Sequence, residues 1–158
     1  MTAAEQFEIL AAGLIGEPIS HMWRGHGSAV FIEIGELSPW TKNDGSPGDP
    51  EGRVLLGVEW SWRIQDEKSI RCGSWSDETL WEPGFDQLRG ISIRDCTLFG
   101  ALPEIQLTTQ TGVSFMSFST TDGQPQWRIV DRRGERNRWF TVRDGQLHVG
   151  DGSEPAHR

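Results

Sequence analysis

Short runs of alternating apolar and polar residues, broken at close intervals by Gly, Pro, Asn or Asp, limit what this chain can become. Val54–Ile64 (VLLGVEWSWRI) sets Val58, Trp60 and Trp62 on one face of an extended segment and Glu59, Ser61 and Arg63 on the other. Ala29–Leu37 alternates around Phe31 and Glu33, and Ser69–Trp75 reads as a partner strand reached through the polar turn Gln65–Lys68. The same pattern resumes at Ile91–Phe99, Glu104–Thr109, Val113–Ser119, Gln126–Asp131, Arg138–Arg143 and Gln146–Val149. The connections Gln110–Gly112, Asp122–Pro125, Arg132–Asn137 and Asp144–Gly145 carry turn residues, and Asp144-Gly145 is the strongest tight-hairpin signal. The expectation is a mainly β fold: antiparallel sheets in a sandwich or half-barrel of nine or ten strands.

Helical signal is confined to two places. Thr2 and Glu5 form a capping box ahead of a helix running to about Ala12, with Phe7, Leu10 and Leu14 on one face. Ser76–Leu88 (SDETLWEPGFDQL) reads as one or two helical turns, with Ser76 as N-cap and Pro83 as breaker. Ser38–Gly52 (SPWTKNDGSPGDPEG) has no aliphatic residue and reads as a long loop holding Trp40. Residues 1–150 are expected to form one globular domain, with a flexible tail over 151–158.

The order of elements repeats. Leu14-Ile15-Gly16 returns as Leu88-Arg89-Gly90, Gly27 before a strand returns as Gly100, and Trp62-Arg63-Ile64 returns as Trp127-Arg128-Ile129. These matches suggest duplication of a β unit over 14–80 and 88–150. Neither unit alone could cover its apolar face. The duplication predicts that Trp62 and Trp127 are both buried and related by an approximate twofold axis.

The 158 residues carry a formal charge of −8, and residues 1–80 hold nearly all of it. That balance opposes generic nucleic-acid binding, which needs Lys and Arg against phosphates. No apolar run approaches a membrane span, and the first residues, with Glu5 and Glu8 and no cation, do not read as a signal peptide. Two cysteines, Cys72 and Cys96, form no disulfide framework or zinc knuckle. The expected setting is the cytoplasm.

A search for chemistry returns little. His21 and His26 stand at an odd spacing, on opposite faces if extended, so they are poor joint ligands. No nucleophile elbow, Walker loop or dinucleotide fingerprint occurs. Asp66-Glu67 and Asp77-Glu78 fall in turns, while Glu33 and Glu59 lie on strands with nothing to fix their separation. No catalytic set, metal or cofactor is assigned, and the balance leans away from an enzyme. Arg132, Arg133, Arg136 and Arg138, interleaved with Asp131 and Glu135, read as a salt-bridged hairpin tip.

Tryptophan is the unusual component, at eight residues with no tyrosine. Trp60, Trp62, Trp75, Trp127 and Trp139 sit on or beside strands, where core packing is expected. Trp40 and Trp81 sit outside strands, and Trp is enriched at binding hot spots. Trp40, Asp44, Asp49, Glu51 and Trp81 are therefore the candidate partner-binding residues, facing a basic protein. A small ligand in a Trp-lined cavity is the alternative.

The run Leu88-x-Gly90, T-G-V-x-F-x-x-F (Thr111 to Phe118), P-x-W-R-I (Pro125 to Ile129) and the closing strand at Leu147 resembles small β-rich domains of uncharacterised bacterial proteins. Some domains of this build are grouped with immunity proteins of polymorphic toxin systems. The resemblance implies a small cytoplasmic binding protein whose partner is a basic toxin, and it transfers no catalytic residue.

Overall fold

A computed structural model describes residues 1–122 and 126–152. Helix α1 (Ala3–Leu14) opens the chain. Thr2 caps it by accepting from the Glu5 N–H, and Phe7, Leu10 and Leu14 are its buried face. Eleven strands follow: β1 (Ile19–Arg24), β2 (Val30–Ile34), β3 (Val54–Val58), β4 (Trp62–Gln65), β5 (Ile70–Gly73), β6 (Ile93–Phe99), β7 (Glu104–Thr109), β8 (Ser114–Ser117), β9 (Trp127–Asp131), β10 (Arg138–Arg143) and β11 (Gln146–Gly150). Between β5 and β6 lie a 3-10 turn (Glu78–Leu80) and the short helix α2 (Trp81–Asp86).

The strands form two antiparallel sheets, ordered β1-β2-β3-β9-β10-β11 and β5-β4-β8-β7-β6. The mainly β expectation holds as two open sheets with one core between them. The orders β1-β2-β3-β9-β10 and β6-β7-β8-β4-β5 are the same sequence of elements, each of these five-strand runs taking three strands from one half of the chain and two from the other.

Equivalent contacts accompany that exchange. The Gly16 N–H donates to the Ile93 carbonyl at 2.8 Å, and the Gly90 N–H donates to the Ile19 carbonyl at 2.7 Å. The Ile19 N–H reaches the Ile91 carbonyl, and the Ile93 N–H reaches the Glu17 carbonyl, about a bridge between Pro18 and Ser92. Register shifts between Ile19 and His21 in one half and between Ile93 and Asp95 in the other. Trp62 and Trp127 are both buried, 2% and 1% exposed. Each indole N–H donates to a carbonyl of its own half, Trp62 to Ser28 at 2.7 Å and Trp127 to Pro103 at 3.0 Å. A buried indole satisfied in this way loses no hydrogen bond to desolvation.

Each helix packs at an open side of the two-layer structure. Helix α1 lies against β6 and β11, and α2 lies against β5. Beside α2, Arg89 donates to the Met22 carbonyl of β1, and Arg24 of β1 stacks over Trp81, 4.3 Å from the ring centroid.

Three local expectations are corrected. Val54–Ile64 is two strands in different sheets, because the chain crosses between layers at Glu59–Ser61. Trp60 therefore lies half exposed at the crossing and not beside Trp62 in the core. Trp75 is 86% exposed, just beyond the edge strand β5. Pro83 does not break α2; it sits in the first turn, where its missing N–H would have had no helical partner, and Asp77 caps the preceding 3-10 turn. The Asp144-Gly145 turn has positive φ at both residues, 50° and 73°, as a type I′ hairpin requires. Of the expected turn Asp122–Pro125 and tail 151–158, residues 123–125 and 153–158 lie outside the described residues.

Candidate functional site

The predicted binding residues fall in two places. Trp40, Asp44, Asp49 and Glu51 belong to residues 35–53, which join β2 to β3 as an ordered finger rather than a free loop. Bridges pair Ser38 with Glu51 and Thr41 with Pro47 along it. Trp40 is half exposed and lies flat on its own finger: a Cβ at Gly48 would meet the ring at 1.9 Å. Trp81 is in the core, 2% exposed, with its indole N–H on the Gly73 carbonyl and its ring edge-on to Trp62. It cannot anchor a partner as the molecule stands.

The finger's carboxylates have internal work. Asp44 accepts from the Ser46 hydroxyl and N–H, which hold its carboxyl below the usual range. Asp49 meets His21 of β1 at 2.9 Å. Glu51 faces Arg132, whose guanidinium also bonds buried Glu33 at 2.9 Å and the Gly52 carbonyl at 2.8 Å. Glu33 in turn accepts from the Gly52 N–H. The base of the finger is thus clamped to β2 and to the chain just after β9 by a buried charge pair. Asp131 anchors the next turn through Arg133 and Arg138, as the hairpin-tip reading expects. Burial opposes its ionisation, but those hydrogen bonds outweigh it and keep its carboxyl below the usual range.

No nucleophile is activated at either cysteine. Burial pushes the Cys96 thiol up to about 12 and raises Cys72 as well, so both are thiols at neutral pH. Glu33 and Glu59 form separate ion pairs, with Arg132 and Arg128. Among the described residues no group of three His, Cys, Asp or Glu could hold a metal.

Sequence reasoning missed the opposite end of the molecule, where the chain crosses between sheets. The two crossings run side by side: the Phe118 N–H donates to the Ser61 carbonyl, and the Glu59 N–H donates to that of Gln126. On each side of them opens a cup of about 340 Å³, one reaching Trp62 and the other Trp127. The Trp62 cup is walled by three exposed apolar side chains, Trp75, Ile70 (61%) and Phe118 (51%), together with Arg63. One sequence signal pointed here. Phe115 and Phe118 stand at an odd spacing, so with Phe115 fully buried an extended chain turns Phe118 outward.

No protein-family model matches the chain, and no curated protein or solved structure gives a significant match.

Proposed function

We propose that this chain is a binding protein of the inhibitor or immunity type, which neutralises or holds a basic protein partner. The observation that carries the reading is the exposed apolar wall of the Trp62 cup. Trp75 is 86% exposed, and Ile70 and Phe118 line the same cup. Clustered exposed apolar side chains at a concave site are what a partner's hot-spot residue fills, and Trp is enriched at such anchors. The charge of −8 favours a basic partner and speeds its encounter. Two unpaired, buried thiols suit a reducing compartment such as the cytoplasm. No helix among the described residues is long and apolar enough to cross a membrane.

Internal duplication belongs to the same proposal. Its support is the shared strand order, the reciprocal bonds about Pro18 and Ser92, and the matched roles of Trp62 and Trp127.

The immobilised protein, exposed to a lysate of its source, tests the reading. Wild type should capture a stoichiometric basic protein that is lost as salt rises, and Trp75→Ala should capture markedly less. Equal capture by both would overturn the assignment of this face. A second reading draws on the same cup, whose volume also suits a small molecule. A rise in melting temperature with a small apolar compound, abolished by Trp75→Ala, would favour it.

A further inference from the structure

The two cups share a wall that is one extended segment thick. Phe118 and Thr120 line the Trp62 cup, while Ser119 and Thr121 line the Trp127 cup. This is the alternation of an extended chain.

Their chemistry differs. Arg63 is the charged side chain of the Trp62 cup, and it leans over the Phe118 ring, 5.9 Å from the centroid. The Trp127 cup carries Glu104, Asp122 and Asp144 and no Lys or Arg among the described residues. The Glu104 carboxylate accepts from neutral donors alone, the Ser117 hydroxyl at 2.8 Å and the hydroxyl and N–H of Ser119. One cup therefore presents apolar surface with a cation, and its neighbour is lined by three carboxylates.

We propose that this face docks one segment of a protein partner in the polyproline II conformation, which places a bulky apolar side chain in the Trp62 cup and a lysine or arginine in the Trp127 cup. The inference rests on the binding-protein reading above and adds the partner's chemistry. Centres on either side of one strand lie about two strand spacings apart, roughly 10 Å. Residues three apart on a polyproline II segment, which has three residues per turn, lie on one face and span about the same distance at ~3.1 Å each. The partner's two side chains are accordingly about three positions apart. Arg63 repels a cation from the first cup, so the orientation of the segment is set by charge.

Fluorescein-labelled hexapeptides with Trp and Arg three positions apart on a Gly/Ser background are the probe. Controls replace their Arg by Glu, or their Trp by Ser. Polarisation is read at low and high salt. The Trp/Arg peptide should bind about tenfold tighter than its Glu counterpart at low salt, shrinking to about twofold at high salt. The double variant Asp122→Asn/Asp144→Asn should erase that preference while the Trp peptide with Ser in place of Arg binds as before. Both positions are exposed, and Asn tolerates the positive φ of Asp144, so this variant folds. Trp75→Ala should weaken every Trp peptide. Equal affinity for Arg and Glu peptides, a preference that survives the double variant, or no binding at millimolar peptide would each overturn the proposal. A basic protein still captured in a Trp75-dependent way alongside any of those results leaves the binding reading intact; loss of that dependence overturns it as well.

Discussion

The two halves of this molecule agree where the core needs them to and differ where nothing structural demands it. Trp62 and Trp127 do the same work at the same place in each half. The connections do not match. Strands β7 and β8 are joined by residues 110–113, whereas β2 and β3 are joined by the finger of residues 35–53. One crossing between sheets occupies residues 59–61, and its counterpart runs from 118 to 126. The first cup is apolar and the second acidic. A frame held in common, with additions carried by one half only, separates what makes the fold from what can be used for recognition. The finger adds acidic side chains that mostly meet partners within the molecule, whereas the Trp62 cup adds exposed apolar surface.

The largest effects should come from breaking the shared frame. Trp62→Ala and Trp127→Ala should each cost about 3–5 kcal/mol in urea unfolding. Trp62 belongs at the upper end, because its ring also packs on Trp81, Phe85 and Phe115. A cost under about 1 kcal/mol at either position would show that the two indoles are not equivalent supports.

The clamp under the finger comes next. Glu33→Ala removes the buried carboxylate partner of Arg132 and strands the Gly52 N–H, and should cost about 2–3 kcal/mol in the same assay. Unchanged stability would mean the finger is held by something other than this pair.

Asp131 supplies a smaller, pH-dependent effect. Its folded carboxyl titrates below the unfolded value of about 3.9. Its contribution is therefore present at neutral pH and lost as pH falls through the lower, folded value. The stability gap between wild type and Asp131→Asn should be widest near neutrality and shrink below about pH 4. A gap that widens in acid would reverse the sign of this linkage.

Most of the frame was legible because its signals are local. Period two marked the strands other than β1, Thr2 and Glu5 marked the first helix, and Asp144-Gly145 marked the last hairpin. The layer crossing at Glu59–Ser61 was hidden, since VLLGVEWSWRI alternates without interruption while the chain changes sheets inside it. Trp81 and Trp75 were exchanged in role for a related reason. A helical turn beside Pro looks like surface until β5 is known to be an edge that α2 covers, and a Trp at a strand end looks like core until that edge is known to leave it outside. Edge position is a property of sheet order, which depends on contacts far apart in the chain. The finger's position in sequence was plain, but its pairing to His21 and Arg132 requires β1 and β9 to be placed first.

The smallest stability effect decides the most. Trp75→Ala and Trp40→Ala should each shift unfolding by under about 1 kcal/mol, because neither ring is buried in the core. Compared side by side for capture of the basic partner, the Trp75 variant should lose it and the Trp40 variant should keep it. Retention by the Trp75 variant with loss by the Trp40 variant would move the binding face to the acidic finger and contradict its placement at the crossing of the two sheets.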